Sequence, residues 1–151
     1  MGKSKNKSKY PHVIHYSADL VGFATHTHRL TEVGLPELFI DPLAFGPEGN
    51  AGVINRAYVF FVKPENKPKL EALLSGQIVK LTGKDLRPES DGSDPLIYCF
   101  REVPPTFKAV DQAYEIKNHG LEIPGMRFVQ IWIEGDDFAL LDSYYQGGVK
   151  F

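Results

Sequence analysis

Short segments of alternating polar and apolar residues, broken by glycine and proline, limit most strongly what this chain can fold into. In Phe23 to Arg29, successive side chains lie on opposite faces of an extended backbone. Gly34-Leu35-Pro36 interrupts the chain, and Glu37 to Ile40 then predicts a short buried strand. Phe128 to Glu134 alternates in the same way near the other end. The pattern predicts a sheet of short strands joined by turns.

Other segments add strands and a few helices. Further strands are predicted over His12 to Tyr16, Val53 to Val62, Ile78 to Leu81 and Leu96 to Val103. For Val53 to Val62, a helix through Val53 to Tyr58 is the alternative. Lys69 to Leu74 predicts a short amphipathic helix capped by Gly76, and Phe107 to Asn118 predicts another. Because strands and helices do not alternate regularly, we expect one α+β domain with a mainly antiparallel sheet and one or two short helices.

The composition of the chain indicates in which cellular compartment the protein is expected. The 151 residues fit one domain and contain a single cysteine, Cys99, which can form no internal disulfide. No apolar run approaches the ~18 residues of a membrane span, and no hydrophobic segment follows the basic N-terminus as in a signal peptide. We therefore expect a cytoplasmic protein that makes no membrane contact.

The N-terminus differs in charge from the rest of the chain. Lys3, Lys5, Lys7 and Lys9 contribute four positive charges, so the formal net charge of −2 combines a basic tail with a body near −6. Residues 1–10 are predicted to be a disordered tail, and residues 11–151 the folded domain. The tail is suited to weak contact with a polyanion such as RNA, or to a purely solubilising role.

The densest cluster of polar, chemically active side chains lies between Gly22 and Ile40. His26 and His28 point to the same face of a predicted strand, and metal centres on sheets are often built in this way. With Glu37 or Asp41 as a further ligand, they predict a site for a divalent metal such as zinc. Alternatively, the two imidazoles bind no metal and only form hydrogen bonds with neighbouring residues. Other residues able to complete the site are Glu32, His12, His15 and His119.

Other catalytic patterns are weaker or missing. Some phosphoesterases use two His-x-Thr motifs, and His26-Thr27-His28 with His15-Tyr16-Ser17 is only a distant counterpart. Cys99 lies in the apolar run Leu96 to Phe100, which favours a small buried side chain over a nucleophile. The chain has no Gly-x-Gly-x-x-Gly, phosphate-binding loop or nucleophile elbow, which argues against nucleotide-dependent and ordinary hydrolase chemistry.

Four motifs occur in an order that resembles a known bacterial family. They are Gly22 to Thr27, Gly34 to Ile40, Tyr98 to Pro104 and Phe128 to Phe138. Together they resemble domain-of-unknown-function family 4262, which implies an α+β fold and no assigned reaction. Two departures stand out: Ala139-Leu140-Leu141 replaces the family's Pro-Trp pair, and a glycine-rich loop over Phe45 to Gly52 is expected where the family has a helix.

The sequence therefore favours a non-catalytic binding or accessory protein with a protein partner. Aromatic residues suited to lining a binding groove are Tyr58, Phe60, Phe61, Trp132, Tyr144 and Tyr145. The alternative is a metal-dependent hydrolase or phosphoesterase centred on His26 and His28.

Overall fold

One mixed sheet with helices packed against it forms the framework of the protein. A computed structural model describes residues 10–19, 22–40, 46–104 and 126–135. Its strands are β1 (Val13–Asp19), β2 (Gly22–His28), β3 (Glu37–Ile40), β4 (Val79–Thr82), β5 (Ile97–Val103) and β6 (Phe128–Ile133). Its α-helices are α1 (Gly46–Val62), α2 (Lys67–Leu74) and α3 (Gly83–Leu86), with 3₁₀ helices at Leu30–Val33 and Pro64–Asn66. The predicted α+β fold is confirmed.

The strands follow the order β1-β2-β3-β6-β5-β4 across the sheet. The pairing of β3 with β6 is parallel, and the other four pairings are antiparallel, as the sequence predicted. Strand β6 lies between β3 and β5 and so joins the meander β1-β2-β3 to the pair β5-β4. All residues of β3 and all but the last of β6 are buried, because these strands lie in the middle of the sheet.

One face of the sheet packs against the helices and forms the main core. The sheet contributes alternate residues of the inner strands, such as Leu38, Ile40, Val129 and Ile131. The helices contribute Val53, Ile54, Ala57, Phe60, Phe61 and Leu73. This face holds the side chains that fix α1 over β2 and β3 and α2 over β4 and β5.

Helix α1 contradicts the strand predicted over Val53 to Val62. Its buried residues recur at the spacing of one helical face, namely Val53, Ile54, Ala57, Phe60 and Phe61. Val59 and Val62 fall off that face and are 38% and 43% exposed. The glycine-rich loop predicted from Phe45 is also wrong, since the helix already begins at Gly46. Packing on the sheet therefore outweighs the intrinsic strand preference of valine and phenylalanine. The described residues contain three α-helices, more than the one or two predicted.

Helix α2 and the exposed connection from Arg87 to Pro95 agree with the predictions. Gly76, at φ 101°, donates its backbone N–H to the Leu73 carbonyl at 3.1 Å and ends the helix. In the connection, Asp94 accepts the Tyr98 hydroxyl at 2.7 Å. Burial, aided by this hydrogen bond, raises the pKa of Tyr98 to about 12.

Several predictions lie outside the described residues. They are the basic tail, the helix over Phe107 to Asn118, and a return strand over Phe138 to Asp142. Among the helices that the structure describes, none is both long and apolar enough to cross a bilayer.

Candidate functional site

Glu37 is a buried carboxylate whose acceptor capacity is filled by its neighbours. Its Oε1 accepts the Thr27 hydroxyl at 2.7 Å and the Leu30 backbone N–H at 3.3 Å. Its Oε2 accepts the backbone N–H and the hydroxyl of Thr31, at 2.9 and 2.6 Å. A carboxylate offers about four lone-pair sites, so this set saturates it. We call these four residues the Glu37 cluster.

The Glu37 cluster fixes the connection between β2 and β3. The 3₁₀ helix after β2 begins at Leu30 with no side-chain cap from Arg29, and Glu37 supplies the missing acceptor from the far side of the turn. Thr27 also accepts the Leu38 backbone N–H at 2.9 Å, which ties β2 to β3. Gly34, at φ 82°, turns the chain back toward β3. The carboxylate therefore holds the turn together.

The two histidines predicted to bind metal do lie together on β2. His26 is 2% exposed, His28 is partly buried, and their ring centroids are 5.0 Å apart in an edge-to-face arrangement. Glu37 is engaged in its own cluster, and Asp41 lies outside the described residues. Within those residues, no three His, Cys, Asp or Glu side chains are grouped closely enough to hold a metal ion. The zinc site stays a prediction that needs Asp41 or another residue from the rest of the chain.

His26 belongs to a row of paired residues that crosses four strands. Its Cα partner on β3 is Phe39, which pairs with Gln130 of β6, which in turn pairs with Arg101 of β5. Gln130 is fully buried and accepts the Arg101 Nε–H at 3.0 Å. The Arg101 guanidinium carbon also lies 5.8 Å from the ring centroid of Trp132. This row is the polar part of the sheet face opposite the main core.

Cys99 lies beside Trp132 on the same face and is 1% exposed. Burial raises the pKa of the Cys99 thiol, so the thiol stays protonated and is a poor nucleophile. The prediction of a small buried side chain is confirmed.

An apolar groove opens between the β2–β3 turn and the helices. Its volume is about 210 Å³, including the part open to solvent. The turn and β3 contribute Leu30, Leu35, Pro36 and Leu38, and the helices contribute Tyr58, Phe61 and Leu70. Much of that volume is open to solvent, so the groove is a shallow apolar depression that can take only a small apolar group.

His12 contacts Tyr58, one of the residues that line the groove, and is buried with one ring nitrogen unpaired. Its ring is 5.2 Å from that of Tyr58 and 5.3 Å from that of Tyr10, and its exposure is 5%. Nε2 bonds to Asn55 Oδ1 at 2.7 Å, whereas Nδ1 has no hydrogen-bond partner. An unsatisfied buried polar atom costs roughly 1–3 kcal/mol. Burial lowers the pKa of His12, while the Asn55 bond and the charge of Glu37 act in the opposite direction.

Sequence reasoning gave His12 only the role of one more metal ligand. It placed Tyr58 among the aromatic residues suited to a groove but did not connect the two. The local signal is Tyr10-Pro11-His12, where two aromatic rings stand two residues apart. Their partner Tyr58 is 46 positions after His12 in the sequence, and only the packing of α1 brings it there.

No protein family, curated protein or solved structure matches this chain. Function is therefore argued from the geometry of the site.

Proposed function

We propose that this protein is a non-catalytic binding or accessory domain that takes a small apolar group into the groove. The observation that carries the proposal is that Tyr58 forms a wall of the apolar groove and also contacts His12, the buried imidazole with an unpaired nitrogen. An apolar pocket with a few polar groups near it is the common form of a binding site.

The surroundings of two potentially reactive side chains, Glu37 and Cys99, also favour binding over catalysis. The acceptor sites of Glu37 are filled by the turn that it stabilises. Cys99 is buried, and its raised pKa keeps it protonated. Neither group is poised to attack a substrate or to exchange protons with one.

A titration with 1-hexanol, followed through backbone amide NMR shifts, tests the groove. We expect saturable shifts at Leu35, Leu38 and Leu70. Leu70→Lys should abolish them, because a charged amine at the groove wall opposes an apolar ligand. Val62→Lys is the matched control, since Val62 is exposed and does not line the groove. Shifts that Leu70→Lys leaves unchanged would refute the proposal.

A metal-dependent hydrolase or phosphoesterase is the second candidate, and the closeness of the His26 and His28 rings favours it. Calorimetric titration with zinc tests it directly. If His26 and His28 bind zinc, the titration gives a larger heat of binding with the native protein than with the His26→Ala, His28→Ala double variant. Equal heats would end this candidate.

The resemblance to domain-of-unknown-function family 4262 also stays a proposal. Helix α1 is the next described element after β3, so this chain has a helix in the stretch where a glycine-rich loop was expected to set it apart from the family. A polyanion contact through the lysine tail is likewise untested. If the tail makes it, deleting residues 1–9 abolishes salt-sensitive retention on RNA.

A further inference from the structure

The two edges of the sheet differ in how well they are protected against pairing with another strand. Strand β4, at one edge, has four residues, carries the exposed Lys80 and is followed at once by α3. A short strand and an edge lysine are common devices against unwanted pairing. Strand β1, at the other edge, has seven residues, Val13–Asp19, with no lysine, arginine or proline among them. The unprotected edge is therefore β1.

Strand β1 is regular along its whole length. Each of its residues pairs with one residue of β2, from Val13 with His28 to Asp19 with Gly22, so no bulge interrupts the strand. Among the strands that the structure describes, β2 is its only neighbour. Alternate residues of β1 therefore direct a backbone N–H and C=O away from β2, and such a row is the template that an added strand recognises.

A second copy of the same strand fits this template. Two-fold symmetry places a strand opposite itself in antiparallel orientation. Outward-directed residues alternate, so they meet each other only when the two paired positions differ by an even number. The register centred on Tyr16 meets this condition and pairs all seven residues, from Val13 with Asp19 of the partner subunit onward. It forms about six to eight backbone hydrogen bonds.

The charges at the two ends of β1 also favour a second copy. Four lysines precede β1 in the sequence, and the strand ends at Asp19. Antiparallel pairing brings the N-terminal end of each strand beside the C-terminal end of the other. The lysine-bearing end of one copy therefore meets the Asp19 end of its partner, whose body carries a net charge near −6. Opposite charges at these ends attract the two copies and favour this orientation.

We propose that β1 is an interaction surface for a second copy of this chain, and that two copies pair through β1 in antiparallel orientation, centred on Tyr16, to form one continuous sheet. The inference does not depend on the apolar groove, which lies between the β2–β3 turn and the helices. A contact between two seven-residue strands is smaller than the roughly 1,000 Å² of a stable interface, so the dimer is weak and forms only at raised protein concentration.

Sedimentation equilibrium of the full chain over a range of concentrations tests whether the dimer exists. We expect reversible association that high salt weakens, because salt screens the charges at the strand ends. Tyr16→Lys and Tyr16→Glu should each raise the dimer dissociation constant about fivefold or more, because like charges then meet at the two-fold axis. An equimolar mixture of the two variants should associate again, since lysine faces glutamate. Ile78→Lys, an exposed position beside β4, is the control and should leave association unchanged.

Cysteine cross-linking tests the register. In the proposed dimer the two Cα atoms of residue 16 lie about 4.5–5.5 Å apart, within the range that a disulfide spans. Tyr16→Cys should therefore form a disulfide-linked dimer on mild oxidation. Ala18→Cys should not, because four residues along the strand separate its two copies by about 13 Å or more. Cys99 is buried and does not compete.

A second cross-link covers the case in which the Tyr16 variants do not fold, as judged by circular dichroism. His15 lies opposite Ser17 of the partner subunit in the same register. A mixture of the His15→Cys and Ser17→Cys variants should therefore form disulfide-linked heterodimers, whereas each variant alone should form few. Heterodimers no more abundant than the homodimers would contradict the register.

The remaining outcomes also decide the proposal. A chain that stays monomeric at every concentration refutes it and leaves the β1 edge to a strand of a different protein. A dimer that Ile78→Lys dissociates and the Tyr16 variants leave intact places the contact at β4 and refutes it as well. None of these results bears on the groove, which the 1-hexanol titration tests separately.

Discussion

Glu37 and His12 are neighbouring buried polar side chains that the fold treats in opposite ways. Every acceptor site of the Glu37 carboxylate meets a donor from its own turn. The His12 imidazole has one partner, Asn55, and one nitrogen with none. A saturated buried group contributes to stability, whereas an unsatisfied buried atom costs stability. The comparison therefore assigns a stabilising role to Glu37, whereas the Nδ1 atom of His12 contributes no hydrogen bond to the fold.

The largest expected effect is that of Glu37→Ala. The substitution leaves the N–H groups of Leu30 and Thr31 and the Thr27 hydroxyl without their acceptor. We expect a loss of about 3 kcal/mol or more in the free energy of unfolding, measured by urea denaturation. Glu32→Ala in the same turn is the control, because that exposed side chain makes a surface ion pair with Arg29 and should change stability by less than about 0.5 kcal/mol. Similar losses for both variants would contradict the structural role.

Thr27→Val tests one bond of the Glu37 cluster with little change in shape. The variant removes a donor to Glu37 and leaves the buried Leu38 N–H without its acceptor. We expect a loss of about 1–2 kcal/mol by the same measurement. Thr31→Val should cost less, because Thr31 is only partly buried and water can replace its hydroxyl.

His12→Phe should change stability by less than about 1 kcal/mol. The phenyl ring keeps the contacts with Tyr10 and Tyr58 and removes the unpaired nitrogen, and the partly buried Asn55 can turn to water. A loss as large as that of Glu37→Ala would show that the two groups are equally structural, and the comparison would fail.

The smallest effect is the pH dependence that His12 adds. Its pKa in the folded protein lies below the ordinary 6.5, mainly because of burial. The unfolded chain therefore binds more protons as pH falls below 6.5, and stability decreases from there down to the folded pKa. Unfolding free energies at pH 7 and 5 should differ more for the native protein than for His12→Phe. If the free energy of unfolding changes equally between pH 7 and pH 5 in both proteins, the lowered pKa does not belong to His12.

The sequence was informative wherever one residue type decides the local geometry. Gly34 and Gly76 mark turns that need positive φ, alternation located β1, β2 and β6, and short apolar runs located β3 and β5. It was misleading for Val53 to Val62, because valine and phenylalanine prefer strands while their spacing also fits one face of a helix. Whether these residues form a strand or a helix is decided by the apolar face of the sheet that they cover. That face is built from distant parts of the chain and cannot be recognised in the local sequence.

For the site, the sequence by itself determined which side chains were available. It indicated His26 and His28 on one face, a buried Cys99 and the aromatic character of Tyr58. Only the tertiary structure decided how Glu37 and His12 are used, because their hydrogen bonds depend on partners brought in by folding. Glu37 meets donors 6 to 10 positions away along the chain, and His12 meets Asn55 at a separation of 43. Whether a buried polar group is satisfied is a property of packing in three dimensions.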